Sequence, residues 1–291
     1  MAFKQNFILW IFVPFLIVAG ATMETLLPVT HYFDRLPINT KVDLKGKAAI
    51  RFLDLGNGVS AVLQTEEGHH ILIDGGEDQS ALMILKELAM LEAQRLDFVF
   101  LTTPKPEHMG GFGILTQTVP IGKIAYPHLS AAEFGLDAYE AAKSIPRIRL
   151  KADQTYILGE NLSIKVFNPR EPVYGVVGEQ SLVFQMTYRG TTILFTGDIS
   201  EQVTEKLLDL PIESDILVIP NHAKKNSFHT DFLQKVNPKV AVITGVKKGS
   251  SSPDESIVEQ LYESWIDVYR TDQQGTITVL FSNRSFEVIR P

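Results

Sequence analysis

The stretch Leu101-Thr-Thr-Pro-Lys-Pro-Glu-His-Met-Gly-Gly111 decides how the chain is read, because the apolar run Phe98-Val99-Phe100-Leu101 leads straight into it. Residues Asp97 to Leu101 have the composition of a buried strand. The chain then turns at Thr103 and Pro104, and Gly110-Gly111 allows a new helix to begin close against its neighbours. A strand ending in a polar turn with Glu107 and His108 side by side is a place where a metallohydrolase keeps ligands.

Upstream, Ala48 to Leu55, Val59 to Gln64 and His70 to Ile73 are short apolar runs. Gly56-Asn57-Gly58 and Glu66-Glu67-Gly68 separate them as hairpin turns, so the section predicts a meander. Its last strand ends at Asp74-Gly75-Gly76, and Ala81 to Ala93 then carries Leu82, Ile84, Leu85, Leu88 and Leu91 at helical spacing. Downstream, strands are expected over Ile121 to Tyr126, Ile148 to Leu150, Thr155 to Leu158 and Leu162 to Phe167, with a helix from Ala131 to Ser144. The second half repeats the rhythm. Ser181 to Tyr188 and Thr191 to Phe195 form a hairpin ending at Thr196-Gly197-Asp198, and Ser200 to Leu210 follows as a helix. Asp215 to Pro220 is a strand leading into Asn221-His222-Ala223-Lys224-Lys225. A strand at Val240 to Thr244 and a helix at Glu255 to Trp265 complete the pattern.

Set beside known families, the 101–111 stretch resembles the signature of the metallo-beta-lactamase superfamily, Thr-His-x-His-x-Asp-His followed by one residue and Gly-Gly. Thr102, His108, Gly110 and Gly111 fit; the two leading histidines are Thr103 and Lys105, and the aspartate is Glu107. Phe52-Leu53-Asp54-Leu55-Gly56-Asn57-Gly58 and Ile71-Leu72-Ile73-Asp74-Gly75-Gly76 are similar to the start of the extracellular domain of ComEC, the competence DNA-uptake protein, and of its stand-alone relatives. Thr271-Asp-Gln-Gln-Gly-Thr-Ile277 is similar to that group's closing hairpin, and Asn221-His222 stands where it has Pro-His-His-Gly-Ser. The resemblance covers about Ala48 to Val288. It implies an α/β (α+β) fold, the four-layer αββα sandwich, with the site on loops at strand ends.

The same resemblance implies tentative metal ligands at Glu107, His108, Asp198 and His222, and a structural carboxylate at Asp74. Three of these have an ordinary alternative: Asp74 caps a turn, Asp198 caps the helix after it, and His222 is a loop histidine. A dinuclear site needs around six or seven ligands, so four candidates make at most one mononuclear site. Lys105 stands where the family has a ligand, and a fixed ammonium ~4 Å from a divalent ion costs roughly 8 kcal/mol at an effective dielectric of about 20. The expected cofactor is none, or one weakly bound divalent metal, Zn or Mn. Lys105, Lys224, Lys225, Lys247 and Lys248 form either a cationic pocket for a small anion, nucleotide or DNA, or solvated lysines on polar loops.

Two function classes follow: a ligand- or partner-binding pseudoenzyme, and a hydrolase of phosphodiester or related ester bonds with one metal. With no cysteine, neither a disulfide framework nor a thiolate metal site exists, and the net charge of -7 argues against a general nucleic-acid-binding surface. At the amino terminus, Lys4 precedes an apolar run from Phe7 to Ala21 with Ala19-Gly20-Ala21 at its end. That run suits a signal peptide over residues 1–21, with an uncleaved membrane anchor or a buried helix as alternatives. Residues 22–46 read as a linker or N-terminal extension and 47–291 as the metallo-beta-lactamase-like domain; the signal-peptide reading of 1–21 implies an exported protein, periplasmic or extracellular.

Overall fold

The computed structural model describes residues 44–129, 134–170, 177–246 and 253–289. The readings for the 1–21 segment, for most of the 22–46 linker and for Lys247 and Lys248 lie outside the described residues. Among those described, no helix is long and apolar enough to cross a membrane.

Strands β1 (Ala49–Phe52), β2 (Ala61–Gln64), β3 (His70–Ile73), β4 (Leu96–Phe100), β5 (Ile121–Pro127) and β6 (Arg147–Leu150) build the first sheet. The next seven, β7 (Thr155–Ile157), β8 (Leu162–Asn168), β9 (Val183–Tyr188), β10 (Thr191–Phe195), β11 (Ile216–Val218), β12 (Val240–Ile243) and β13 (Asp267–Arg270), build the second. Finally β14 (Ile277–Ser282) and β15 (Ser285–Ile289) return to the first sheet beside β1. The opening meander is antiparallel, β1 on β2 and β2 on β3, as the glycine turns require. From β3 through β6, and from β10 through β13, the pairing is parallel, and there the crossovers carry helices.

The central strands β1, β2, β3, β11 and β12 are buried on both faces, which explains why they read as continuous apolar runs rather than alternating ones. One set of side chains, including Ile50, Phe52, Ile71, Ile73 and Phe100, meets Val166, Phe184, Met186, Ile193 and Phe195 between the sheets. Phe184 stacks on both Phe100 and Phe195, with ring centroids 5.3 and 4.9 Å away. Alternate residues such as Val62, Leu72, Val99 and Ile124 turn outward onto helices. Those helices are α1 (Ala81–Met90), α2 (Pro106–Met109) and α3 (Phe112–Thr118). On the far side, Leu194, Leu217, Ala241 and Ile243 face α4 (Glu201–Leu207), α5 (Phe232–Val236) and α6 (Glu255–Glu263). The result is a four-layer αββα sandwich, as the sequence implied.

Two expectations are corrected. Of the helix expected over Ala131 to Ser144, residues 131–133 lie outside the described residues, and the rest holds two 3₁₀ turns, Leu136–Ala138 and Glu140–Ser144. Gly135 at φ 76° stops a continuous helix, and the turns aim Leu136 and Ala142 into the outer core beside Phe112. Thr271 to Ile277 is not a hairpin: helix α7 (Thr271–Gln274) carries the chain from β13 in one sheet to β14 in the other.

Tyr139 follows the first of those turns and packs edge-on against Phe112, its hydroxyl donating to the Met109 carbonyl at 3.1 Å. Tyr139→Phe keeps the ring contact and removes one hydrogen bond, so urea denaturation should show a loss of about 1 kcal/mol.

Candidate functional site

The site lies where β3, β4, β10, β11 and β12 end, at their carboxyl ends. Gly110 and Gly111 bring α2 and α3 hard against the loop after β3: a Cβ on Gly111 would lie 2.4 Å from the Gly75 carbonyl oxygen. That close approach sets His108, on the short helix α2, beside Asp74.

Asp74 is buried and left-handed, with φ 60°. One of its oxygens accepts from the Thr102 amide at 2.7 Å, and the other accepts from the Thr102 hydroxyl and from His108 Nδ1, both at 2.7 Å. It is thus a positioning carboxylate that fixes the tautomer and plane of His108. His108 Nε2 points the other way, buried and without a hydrogen bond, 3.2 Å from Asp198 Oδ1.

Asp198 follows β10 and is only 1% exposed at its side chain. The cap of α4 is Ser200, so the alternative of Asp198 as helix cap is excluded. Its amide donates to Ser181 Oγ at 3.1 Å, and Ser181 Oγ is 2.7 Å from Thr103 Oγ1. Asp198 Oδ2 accepts from Lys105 Nζ at 2.5 Å.

His222 follows β11 in a strained turn: Asn221, His222 and Ala223 are left-handed in succession, at φ 47°, 59° and 55°. Three such residues in a row cost about 1–3 kcal/mol each, and strain of this kind concentrates at functional sites. His222 Nδ1 donates to the Thr244 carbonyl at 3.0 Å, which leaves Nε2 as the lone pair, 3.6 Å from Asp198 Oδ1. Gly245 permits this, since a Cβ there would meet His222 Nδ1 at 2.4 Å.

The ligand atoms of His108, Asp198 and His222 all lie within 4.8 Å of one another. Two imidazoles and a carboxylate, each imidazole oriented through its Nδ1, are a donor set suited to one zinc-like cation, with a fourth position left for water or ligand. A cavity of about 30 Å3 touches Asp74, Thr102, His108, Asp198 and His222, which is room for one or two waters.

Electrostatics agree with a cation-seeking arrangement. Burial works against charge on His108, but Asp74 and Asp198 outweigh it and push its pKa up to about 10. Burial likewise opposes the charged form of Asp198, yet His108, then His222 and Lys105, hold it well below the usual carboxylate range. For His222, burial dominates and holds its pKa below the ordinary imidazole value against the pull of Asp198. A cation held here would have to displace the proton that charges His108 on its Nε2 side.

Glu107 does not join this group. On a helix, successive side chains diverge by about 100°, so turning His108 inward leaves Glu107 on another face, half-buried. Lys105 is ion-paired rather than free, and Lys224 and Lys225 are solvent-exposed on the loop after His222. His128 lies in the loop after β5 and outside the metal-ligating group. Ser181 and the Thr244 carbonyl were not foreseen: a serine before a strand carries no sequence signal, and a backbone carbonyl carries none at all.

A family model described as the metallo-beta-lactamase superfamily matches residues 53–245. The chain belongs to the metallo-beta-lactamase superfamily. This metallo-beta-lactamase-fold chain is 28% identical over 214 residues to ComE operon protein 3 of Bacillus subtilis (strain 168), covering 68% of the chain and 26% of that protein. It is 26% identical over 238 residues to competence protein ComA of Neisseria gonorrhoeae, covering 80% of the chain and 32% of that protein. The chain therefore spans about a quarter to a third of the length of these two relatives. Among solved structures, the metallo-beta-lactamase fold protein YhfI from Bacillus subtilis matches with a TM-score of 0.58 at 14% identity, covering 79% of the chain and 99% of YhfI. At that identity the likeness concerns the fold alone.

Proposed function

We propose that the chain is an exported metallo-beta-lactamase-fold protein related to ComEC-type hydrolases. It binds one divalent cation, Zn or Mn, weakly, has lost two-metal catalysis, and acts as a ligand- or partner-binding pseudoenzyme. The observation that carries this reading is the donor count: His108, Asp198 and His222 converge, and among the described residues no fourth carboxylate or imidazole joins that ligand group, Asp74 reaching His108 only at Nδ1. On the side of Asp198 away from the histidines stand Thr103, Ser181 and Lys105, of which two are neutral hydroxyls and one has no lone pair while protonated. Two cations are not accommodated by that set. A single cation would supply Lewis-acid polarisation.

The exposed Lys224 and Lys225 beside His222 suit a small anion, a nucleotide or DNA. The apolar run Phe7 to Ala21 supports export, to the periplasm or the extracellular space, with or without retention as an anchor.

Purified protein saturated with zinc is expected to hold at most one zinc per chain and to leave bis(p-nitrophenyl) phosphate intact. Two zincs per chain with turnover would end the pseudoenzyme reading. Isothermal titration with phosphate and with a short single-stranded DNA at low salt is expected to give heat that vanishes at high salt, and silence at low salt would end the anion reading. The small cavity beside the three donors favours a second reading, a one-metal hydrolase of phosphodiester or related ester bonds, and turnover with a single zinc per chain would select it.

A further inference from the structure

We infer that the ammonium group of Lys105 is a resident cation that fills, on Asp198, the place a second metal would need. This rests on the one-cation reading of His108, Asp198 and His222, and it adds what the other half of the Asp198 carboxylate does. The two oxygens of Asp198 are divided between two jobs. Oδ1 faces His108 Nε2 at 3.2 Å and His222 Nε2 at 3.6 Å, while Oδ2 is held by Lys105 Nζ at 2.5 Å. A carboxylate that bridges two positive centres is thereby kept, with nitrogen in place of one of them.

The surroundings are built for that arrangement. The Asp198 amide is anchored on Ser181 Oγ, and the Ser181 and Thr103 hydroxyls are 2.7 Å apart, so both hydroxyls beside the carboxylate have partners within the protein. Gly178 lies over the pair: a Cβ there would come within 2.6 Å of the Asp198 carbonyl oxygen and 3.7 Å of Lys105 Nζ. The Lys105 side chain is 28% exposed against 1% for Asp198, so its stem closes the carboxylate off from solvent while its head stays paired. Burying Asp198 with only the histidines for company would leave it short of positive charge whenever no metal is bound. Lys105 removes that dependence on metal. The same positive charge then opposes a divalent ion at the three donors.

The test uses the full chain with Lys105→Met, which keeps the length of the stem and removes the charge, and Lys105→Arg, which keeps the charge. Melting temperature is read in EDTA and in excess zinc, and zinc affinity by competition with a chromophoric chelator. Lys105→Met is expected to melt below the wild type in EDTA, to regain the loss in zinc, and to bind zinc about tenfold or more tightly than the wild type. Lys105→Arg should track the wild type in both readouts. Equal melting in EDTA together with equal zinc affinity for Lys105→Met and the wild type would overturn the inference, as would a zinc affinity of Lys105→Arg raised to that of the methionine variant. If Lys105→Met folds only in zinc, the inference stands in its strongest form; if it folds in neither condition, the arginine comparison decides. A wild type that takes up no zinc, beside a Lys105→Met variant that melts low in EDTA, would remove the one-cation reading and leave the resident ammonium in place.

Discussion

Asp198→Asn is expected to destabilise the protein by about 3 kcal/mol in EDTA, near the lower end of what breaking a buried charge pair costs. It should also abolish any rise in melting temperature that the one-cation reading expects of the wild type in zinc. Asn conserves shape but not charge, and three groups depend on that charge: Lys105 Nζ, His108 Nε2 and, at longer range, His222 Nε2. The loss stays near the lower end because Lys105 can swing toward solvent and His108 keeps Asp74. Urea denaturation in EDTA reads the first effect. A loss under about 1 kcal/mol would mean the cluster is not bound together by charge. Combining Asp198→Asn with Lys105→Met should be less damaging than the sum of the two, since each single change strands a partner that the double change removes.

Much of this site was legible because its chemistry sits at strand ends that the hydrophobic pattern marks. His108, Asp198 and His222 each follow an apolar run by a few residues, so a reading of strands also placed the candidates. The alternatives for Asp198 needed coordinates, since a carboxylate two residues before a helix looks the same whether or not it caps; Ser200 in the cap position removes the capping alternative. Glu107 stands apart from His108 because adjacency in sequence becomes divergence on α2. Lys105 was legible as an obstacle to a first metal. Its pairing with Asp198 was not, since the two are ninety-three positions apart and belong to different halves of the sandwich. The stretch from Ala131 to Ser144 went wrong for a plain reason: Ala, Glu, Leu and Lys favour helix locally, while Gly135 and the demand for Leu136 and Ala142 in the outer core override that preference.

Asp74→Ala should cost about 3–5 kcal/mol, because it strands the Thr102 amide and hydroxyl and one charged nitrogen of His108 in a place water barely reaches. Part of that cost is conformational, as Asp74 sits at φ 60°, where alanine is strained by about 1 kcal/mol and asparagine is tolerated. Asp74→Asn separates the two contributions. The amide oxygen can still accept from the Thr102 amide and asparagine relieves the strain at φ 60°, so the asparagine variant should regain those two parts of the stability, while the amide nitrogen cannot accept from His108 Nδ1 and leaves that nitrogen unpaired. The imidazole would remain unsteered. Zinc affinity, measured by chelator competition, is therefore expected to fall about 10- to 100-fold in both variants, the usual effect of losing a carboxylate behind a histidine ligand. Asp74→Asn with wild-type zinc affinity would show that packing against Thr102 and His222, rather than the Asp74 hydrogen bond, aims His108 at Asp198.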